Sequence, residues 1–324
     1  LVAAVGSAAV ACGGDDGGPT FADDHPRIYL PNDRDRAWTA LVTANARPGR
    51  ASSASSTSSS TAPTSTASRP GTRRWSASSP ASPRYCEAAV EQIDTFVRDE
   101  EAKISAGDRP DAAFDSYLEV GALIGDLALT YDWCFDTASD SQRTRWVAYA
   151  NQAVWNVWHH EEANWGGEVM AWSGWSVDNP SNNYYYSFLR ATMMLGIATR
   201  GETAEGQTWI DTFRDAKIGA QLQPTFARDL VGGGSREGTG YGVAMKNLFE
   251  LYDFWQGSTG EELAAVNGHA RASMLHLMHS TVPTLDRIAP IGDHARDSEA
   301  LWFDYHRHYL QTLTYLFKDD PVAQ

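Results

Sequence analysis

From residue 85 onward the apolar residues recur at helical spacing, and strict alternation of apolar and polar residues is nearly missing. That periodicity limits the chain to helical architectures. It predicts helices over 85–104, 113–133, 139–160, 182–200, 204–219, 242–257, 260–281 and 298–317. Leu248, Leu251, Tyr252 and Trp255 form one clear stripe at i, i+3, i+4, i+7. Gly107-Asp108-Arg109-Pro110, Gly201-Glu202, Gly232-Gly233-Gly234 and Gly257 to Gly260 supply the breaks. Ser139 or Asp140 is placed to cap the third helix, and Ser298 the last. Consecutive helices joined by short loops pack as antiparallel pairs. No repeat of fixed period is visible, which disfavours a regular solenoid. The expected fold is all-α: a ring of antiparallel helical hairpins, an incomplete (α/α) toroid over 85–324.

Composition narrows the function. The chain has 324 residues, 42% of them hydrophobic, which is enough for one large core or two modest ones. No run of 18 apolar residues occurs, so no membrane-spanning helix is expected. Twenty-six basic residues against 41 acidic ones give a net charge of −15, the wrong sign for a general nucleic-acid binder. Three cysteines make neither a disulfide scaffold nor an all-thiolate zinc site. Twelve Trp, 13 Tyr and 11 Phe supply many rings that can stack on flat or ring-shaped ligands.

The first 84 residues read differently. Leu1 to Ala11 are small and apolar, Cys12 follows, and Gly13 to Gly18 form a polar tether. This resembles the cleavage box of a bacterial lipoprotein, in which the cysteine thiol is acylated, although a starting Met and a basic segment do not precede it. Residues 1–24 are therefore expected to be a signal and tether, with lipidation at Cys12 and export to the periplasm or cell surface. Export also permits Cys86 and Cys134 to pair. Residues 25–46 read as the start of the helical domain. Residues 47–84 contain 13 Ser, 6 Arg, 6 Ala, 5 Thr and 5 Pro, with no Asp, Glu, Leu, Ile or Val, so the rest of the chain holds −21. Such a block cannot bury apolar area and is expected to be disordered. It also interrupts a continuous pattern, as an out-of-frame reading of a GC-rich gene would.

Three loops hold the chemistry. In the first, Trp172-Ser173-Gly174-Trp175 leads into Asn179-Pro180-Ser181-Asn182-Asn183-Tyr184 at the start of a helix. Backbone N–H groups and the helix dipole favour an anion there. Asn182 or Asn183 alternatively serves only as the N-cap. The second is Gly232-Gly233-Gly234-Ser235-Arg236-Glu237-Gly238-Thr239-Gly240-Tyr241, which lacks the Lys-Ser/Thr ending of a phosphate loop. The third, Pro290-Ile291-Gly292-Asp293-His294-Ala295-Arg296, brings an acid, a base and a guanidinium together.

In order and spacing these loops resemble the heparinase II/III-like polysaccharide lyases and related alginate lyases. The family's motifs are an Asn-Asn/His segment opening a helix, a Glu-Gly-x-x-Tyr segment and a later Gly-Asp loop. They match Asn182-Asn183-Tyr184, Glu237-Gly238-Thr239-Gly240-Tyr241 and Gly292-Asp293-His294. The resemblance covers about 85 to 317. It implies an (α/α) toroid, with the β-sandwich that usually follows it absent from this sequence. It also implies that Asn183 neutralises a uronate carboxylate and that Tyr241 moves protons. Where the lyases often have His after the Asn pair, this chain has Tyr184. The base is then Tyr184, Tyr241 acting as both base and acid, or His294 from across the cleft.

β-Elimination removes the C5 proton of a uronic acid and expels the 4-linked sugar. Hydrogen bonds from Asn183, with Arg236, would drain the carboxylate charge and stabilise the developing enolate. A tyrosine base, with an unperturbed pKa of about 10, needs a cation such as Arg236 nearby. Trp172 and Trp175 are placed to stack sugar rings, and Asn182, Glu237 and Arg296 to bind substrate. No redox or nucleotide cofactor is implied. His159-His160-Glu161-Glu162 and the His269, His276, His279 face read as solvated helix surface, so no metal site is expected. The expected partner is an acidic polysaccharide, with membrane contact only through Cys12. The net charge opposes long-range steering of an anion, so Arg228, Arg236, Arg287 and Arg296 must make a local basic pocket. Two other readings stand beside this one. One is a glycoside hydrolase using two of Asp178, Glu237 and Asp293, and the other is a surface lipoprotein that binds glycan without cutting it.

Overall fold

A computed structural model describes residues 18–29, 83–239, 242–292 and 302–324. Cys12, Tyr241, Asp293, His294, Arg296, Ser298 and nearly all of the block 47–84 lie outside the described residues. The described chain is mainly helical: α1 (Pro83–Ser105), α2 (Val120–Trp133), α3 (Asp140–Trp158), α4 (Asn183–Thr199), α5 (Ala204–Asp211), α6 (Gln223–Asp229), α7 (Gly242–Thr259), α8 (His269–Ser280) and α9 (Asp304–Leu316). A π-helical stretch, Thr212–Leu222, joins α5 to α6. A two-residue hairpin, β1 (Asn164–Trp165) and β2 (Glu168–Val169), pairs antiparallel in the α3–α4 connection.

The periodic stripes become the core. Leu248, Leu251, Tyr252 and Trp255 are all buried, and Trp146, Trp165, Phe188, Phe213 and Phe226 join them. Ser139 caps α3 in a reciprocal capping box with Gln142. Two expected helices start later than their periodicity suggests. The segment predicted from 113 turns helical only at Val120, because Asp115, Ser116 and Tyr117 have left-handed backbone (φ 43°, 51° and 64°). The segment predicted from 260 begins at His269, after a short 3₁₀ turn at Leu263–Ala265, where the Asn267 side chain accepts from the His269 N–H at 2.8 Å.

Four helices lie side by side and run the same way. On α2 and α4, the Gly121 N–H donates to Ser187 Oγ at 2.9 Å, and Asp126 lies 3.9 Å from Arg190 further along. A Cβ at Gly121 would fall 2.4 Å from the Ser187 carbonyl, so only glycine allows this approach. On α4 and α7, Glu237 just before α7 meets Asn183, while Arg190 meets Glu250 at 3.5 Å. On α7 and α9, Gly242 abuts His306 and Phe249 packs on Tyr309 at 5.7 Å. Register rises along both members of each pair, so α2, α4, α7 and α9 are parallel. The intervening helices run back against them: Cys86 at the start of α1 reaches Cys134 at the end of α2, and Gly196 late in α4 meets Ile210 of α5 while Tyr185 reaches back to Lys217.

The Cys86–Cys134 disulfide closes at a Cα separation of 5.3 Å across 48 residues. Its removal by Cys86→Ser is expected to lower unfolding free energy by about 2–4 kcal/mol, measured by urea denaturation with and without reductant. Equal stability of the reduced and oxidised forms would contradict this.

The parallel arrangement gathers four helix N-termini at one end of the molecule and the C-termini of α2, α4 and α7 at the other. Residues 18–29 cross the C-terminal end as an extended strap rather than a helix, and their packing begins before the boundary at 25 that composition suggests. Buried Asp132, at the end of α2, accepts from the Arg27 and Ile28 backbone N–H groups at 2.9 and 2.7 Å and pairs with His25 Nδ1. Arg27 donates to the Ala198 carbonyl at 3.0 Å, and the Thr20 N–H to the Thr259 carbonyl at 3.0 Å. The strap thus serves carbonyls that α4 and α7 leave unpaired, and sets the Arg27 guanidinium at the negative end of the α4 dipole.

Candidate functional site

At the end where the four N-termini gather, the three loops singled out in sequence meet. The Asn182 side chain caps α4 by accepting from the Tyr184 N–H at 3.1 Å. Its amide nitrogen donates to Glu237 Oε1 at 2.7 Å, and the Asn183 N–H donates to Glu237 Oε2 at 3.0 Å. One carboxylate of the glycine-rich loop therefore holds both asparagines. The same loop is stitched to the third: Gly238 and Gly292 form an antiparallel bridge, and the Thr239 N–H donates to the Ile291 carbonyl at 3.0 Å. Gly238 has φ +84°, and a Cβ there would lie 2.0 Å from the Ile291 carbonyl oxygen. Glycine is required at this crossing. His306, at the start of α9, closes the assembly with Nε2 2.9 Å from the Thr239 carbonyl. Tyr241 and the Asp293-His294 pair follow these anchored residues in the chain but lie outside the described residues.

The side-chain amide of Asn183 is half-buried and has no hydrogen-bond partner among the described residues. It is the group of the Asn pair left uncommitted. Tyr184 points its hydroxyl at Asp115, donating at 3.2 and 3.3 Å to the two carboxylate oxygens. Asp115 is a site residue that sequence reading missed, because nothing in a helical stripe marks a left-handed turn.

The other residues named from sequence make the following contacts. Asn182 uses one donor and one lone pair of its amide as clamp and cap. Glu237 is likewise a clamp, since each of its oxygens serves the α4 N-terminus. Arg236 pairs with Asp229 at 2.6 Å, and Arg228 pairs with the same carboxylate at 2.7 Å. Both guanidiniums thus share the one carboxylate of Asp229 and are more than half exposed. Arg287 lies 3.5 Å from Asp286. Trp172 packs into the protein, its ring 4.8 Å from Tyr117 and its N–H on the Asn156 carbonyl at 3.0 Å. Trp175, 55% exposed, is the tryptophan of the pair that presents its ring to solvent. Asp178 accepts from Gln221 and Lys217 at 3.1 and 3.2 Å. Partial burial favours its neutral form, but these two bonds hold the carboxyl below the usual range.

The glycine-rich loop has a buried anchor that periodicity did not reveal. His269 Nε2 lies 3.1 Å from the Gly234 carbonyl, and Ser273 Oγ donates to the Gly233 carbonyl at 2.8 Å. Burial, only partly offset by the Gly234 hydrogen bond, pushes the His269 pKa down to about 4. The folded protein therefore holds this ring neutral, while the unfolded chain protonates near the ordinary histidine value. Its contribution is intact above pH ~6.5 and is lost as pH falls toward about 4, a cost on the order of 3 kcal/mol at the bottom of that window. His269→Gln should flatten this part of the stability–pH curve. An unchanged slope between pH 6.5 and 4 would refute the assignment.

No family model matches this chain, and no curated protein matches it at a significant level.

Proposed function

We propose that this protein is an exported polysaccharide lyase that cleaves a uronic-acid-containing glycan by β-elimination on an incomplete (α/α) toroid. The parallel α2, α4, α7 and α9, with α1 and α5 running back against α2 and α4, support the toroid reading. The observation that supports the activity most is the Glu237 clamp: it ties the Asn182-Asn183 turn to the glycine-rich loop, which is in turn bridged to the Gly292 loop. Three loops spread over more than 100 residues of sequence share one end of the molecule, as the resemblance to the heparinase II/III-like and alginate lyases requires.

The chemistry follows from the geometry. Asn183 meets the uronate carboxylate with its free amide and drains charge from it as the enolate forms. The parallel helices add the positive ends of their dipoles there, so an acidic protein still offers an anion a favourable pole. Tyr184, Tyr241 and His294 are the residues for proton transfer, and Trp175 offers a ring for sugar stacking. The reaction calls for no cofactor. The Cys86–Cys134 disulfide supports export to an oxidising compartment, with Cys12 as the lipid anchor.

The test is incubation of the purified protein with alginate, heparin, chondroitin and neutral glycans, following the ultraviolet absorbance of a C4=C5 unsaturated uronate. Absorbance growing with one uronate polymer and none with neutral glycans is expected. New reducing ends without that absorbance would replace the lyase with a hydrolase, and binding without turnover would replace it with a glycan-binding protein.

A further inference from the structure

The exposed ring of Trp175 sits on a strained turn. Gly174 to Val177 form a four-residue turn, closed by the Val177 N–H donating to the Gly174 carbonyl at 3.2 Å. Gly174 and Ser176, on either side of Trp175, both have left-handed backbone, at φ 65° and 68°. Serine keeps that conformation only where its surroundings hold it. Two elements distant from the turn do so. On one side, just after α3, the His160 carbonyl accepts from the Trp172 N–H at 3.1 Å. The His160 ring lies against Gly174, where a Cβ would fall 2.6 Å from it. On the other side, Lys217 and Gln221 reach over from the π-helical stretch. Lys217 Nζ donates to the Val177 carbonyl at 3.1 Å and to Asp178 Oδ1 at 3.2 Å, and lies 4.4 Å from the centre of the Trp158 ring. Gln221 Nε2 donates to the same Asp178 oxygen at 3.1 Å. Tyr185 of α4 steadies that stretch in turn, its hydroxyl 2.8 Å from Gln221 Oε1 and 3.1 Å from the Lys217 carbonyl.

An ammonium has three protons. Two of them go to oxygens of the Trp175 loop, and the remaining side of the group faces an indole. The contacts of Lys217 are thus spent on the loop and the wall behind it. π-Helical winding is rare and frequent at functional sites, and here it bears both side chains that reach Asp178. We propose that Lys217 is a positioning residue that holds the Trp175 ring as a stacking platform for one sugar unit of the polymer, beside the Asn182-Asn183 turn. This rests on the lyase reading above. The Trp175 turn runs straight on into α4, with the Asn179 N–H donating to the Ser176 carbonyl at 3.1 Å and the Asn182 N–H to the Asn179 carbonyl at 3.1 Å. A platform fixed before substrate arrives needs no ordering of the loop on binding. Cutting the tie leaves the ring unplaced. The loss falls on binding rather than on chemistry, because Glu237 holds Asn183 independently.

The test uses Lys217→Met, Asp178→Ala and Trp175→Ala in the full chain, with each of the first two also combined with the third, assayed on the uronate polymer that the wild type cleaves. Methionine keeps an unbranched stem against Trp158 but has no ammonium. Asp178→Ala cuts the same tie from the loop side, at a carboxylate that is 75% exposed, so it leaves the core untouched and decides the matter if Lys217→Met fails to fold. The expected result is a KM raised at least threefold by each, with kcat within twofold, and no further rise when either is added to Trp175→Ala. A merely structural lysine would lower the melting temperature without this split between KM and kcat. A KM less than threefold above wild type, rises that multiply with that of Trp175→Ala, or a fall in kcat without a rise in KM would overturn the positioning role while leaving the lyase reading in place. A wild type that forms no unsaturated product from any uronate polymer would overturn both.

Discussion

Asn183→Ala is expected to lower kcat by about 10²–10³-fold while leaving the fold intact. The size is that of losing one preorganised donor to a developing oxyanion. The fold should survive because Glu237 holds position 183 through its backbone N–H, which alanine keeps. The side-chain amide makes no other bond among the described residues, so its removal leaves no orphan behind. Steady-state rates with the cleaved polymer, beside thermal melts, would measure both. A variant with the wild-type rate would remove Asn183 from the reaction.

Asp132→Ala should have the largest effect on stability. Its buried carboxylate pairs with His25 and accepts from two successive backbone N–H groups of the strap. Alanine leaves those donors unpaired against the ends of α2 and α4. Breaking a buried pair from one side typically costs about 3–5 kcal/mol. The neighbouring carboxylate shares the load: Glu202 meets His25 at 2.7 Å and Arg27 at 2.8 Å. Burial alone would raise the Glu202 pKa, but the bonds from Tyr131 and His25 leave it below its ordinary value. Glu202 therefore adds stability above the usual carboxylate range, lost as pH falls through its lowered folded value. Urea denaturation of Asp132→Ala should show the drop, with protease cleavage appearing first in the strap. A change under 1 kcal/mol would mean that the strap is not a structural tie. Asp132 lies at the opposite end of α2 from the candidate site, about 20 Å along a helix of 14 residues. Any surviving folded protein should keep its KM.

These two residues mark what sequence could and could not reveal. The helices were legible because their stripes face one core: Leu248, Leu251, Tyr252 and Trp255 are buried together, and of the two cap candidates Ser139 and Asp140 it is Ser139 that caps. The candidate loops were legible as residue types. Their roles were not, because side-chain commitments depend on neighbours distant in sequence. Glu237 looked like a ligand for substrate, and two backbone and side-chain donors from α4 make it a clamp. Arg236 was named as a cation near the site, and in the fold it shares Asp229 with Arg228. Trp172 and Trp175 are alike in sequence, yet only the latter presents an exposed ring, because the former has Tyr117 and Phe188 to pack against. The strap was illegible for a different reason. It has no hydrophobic period and is held by ion pairs and backbone bonds to helix ends. The left-handed turn at Asp115 has no glycine, and its Asp115-Ser116 pair falls inside a stretch whose apolar spacing reads as helix.

Elimination at the asparagine end of the parallel helices is the step on which the proposed function depends. Mass spectrometry of the oligosaccharides released from a uronate polymer tests this directly. The expected fragments have new non-reducing ends lighter by one water than hydrolysis would leave, formed by the wild type and not by Asn183→Ala. Fragments of hydrolytic mass, or unsaturated fragments produced equally by the variant, would contradict it.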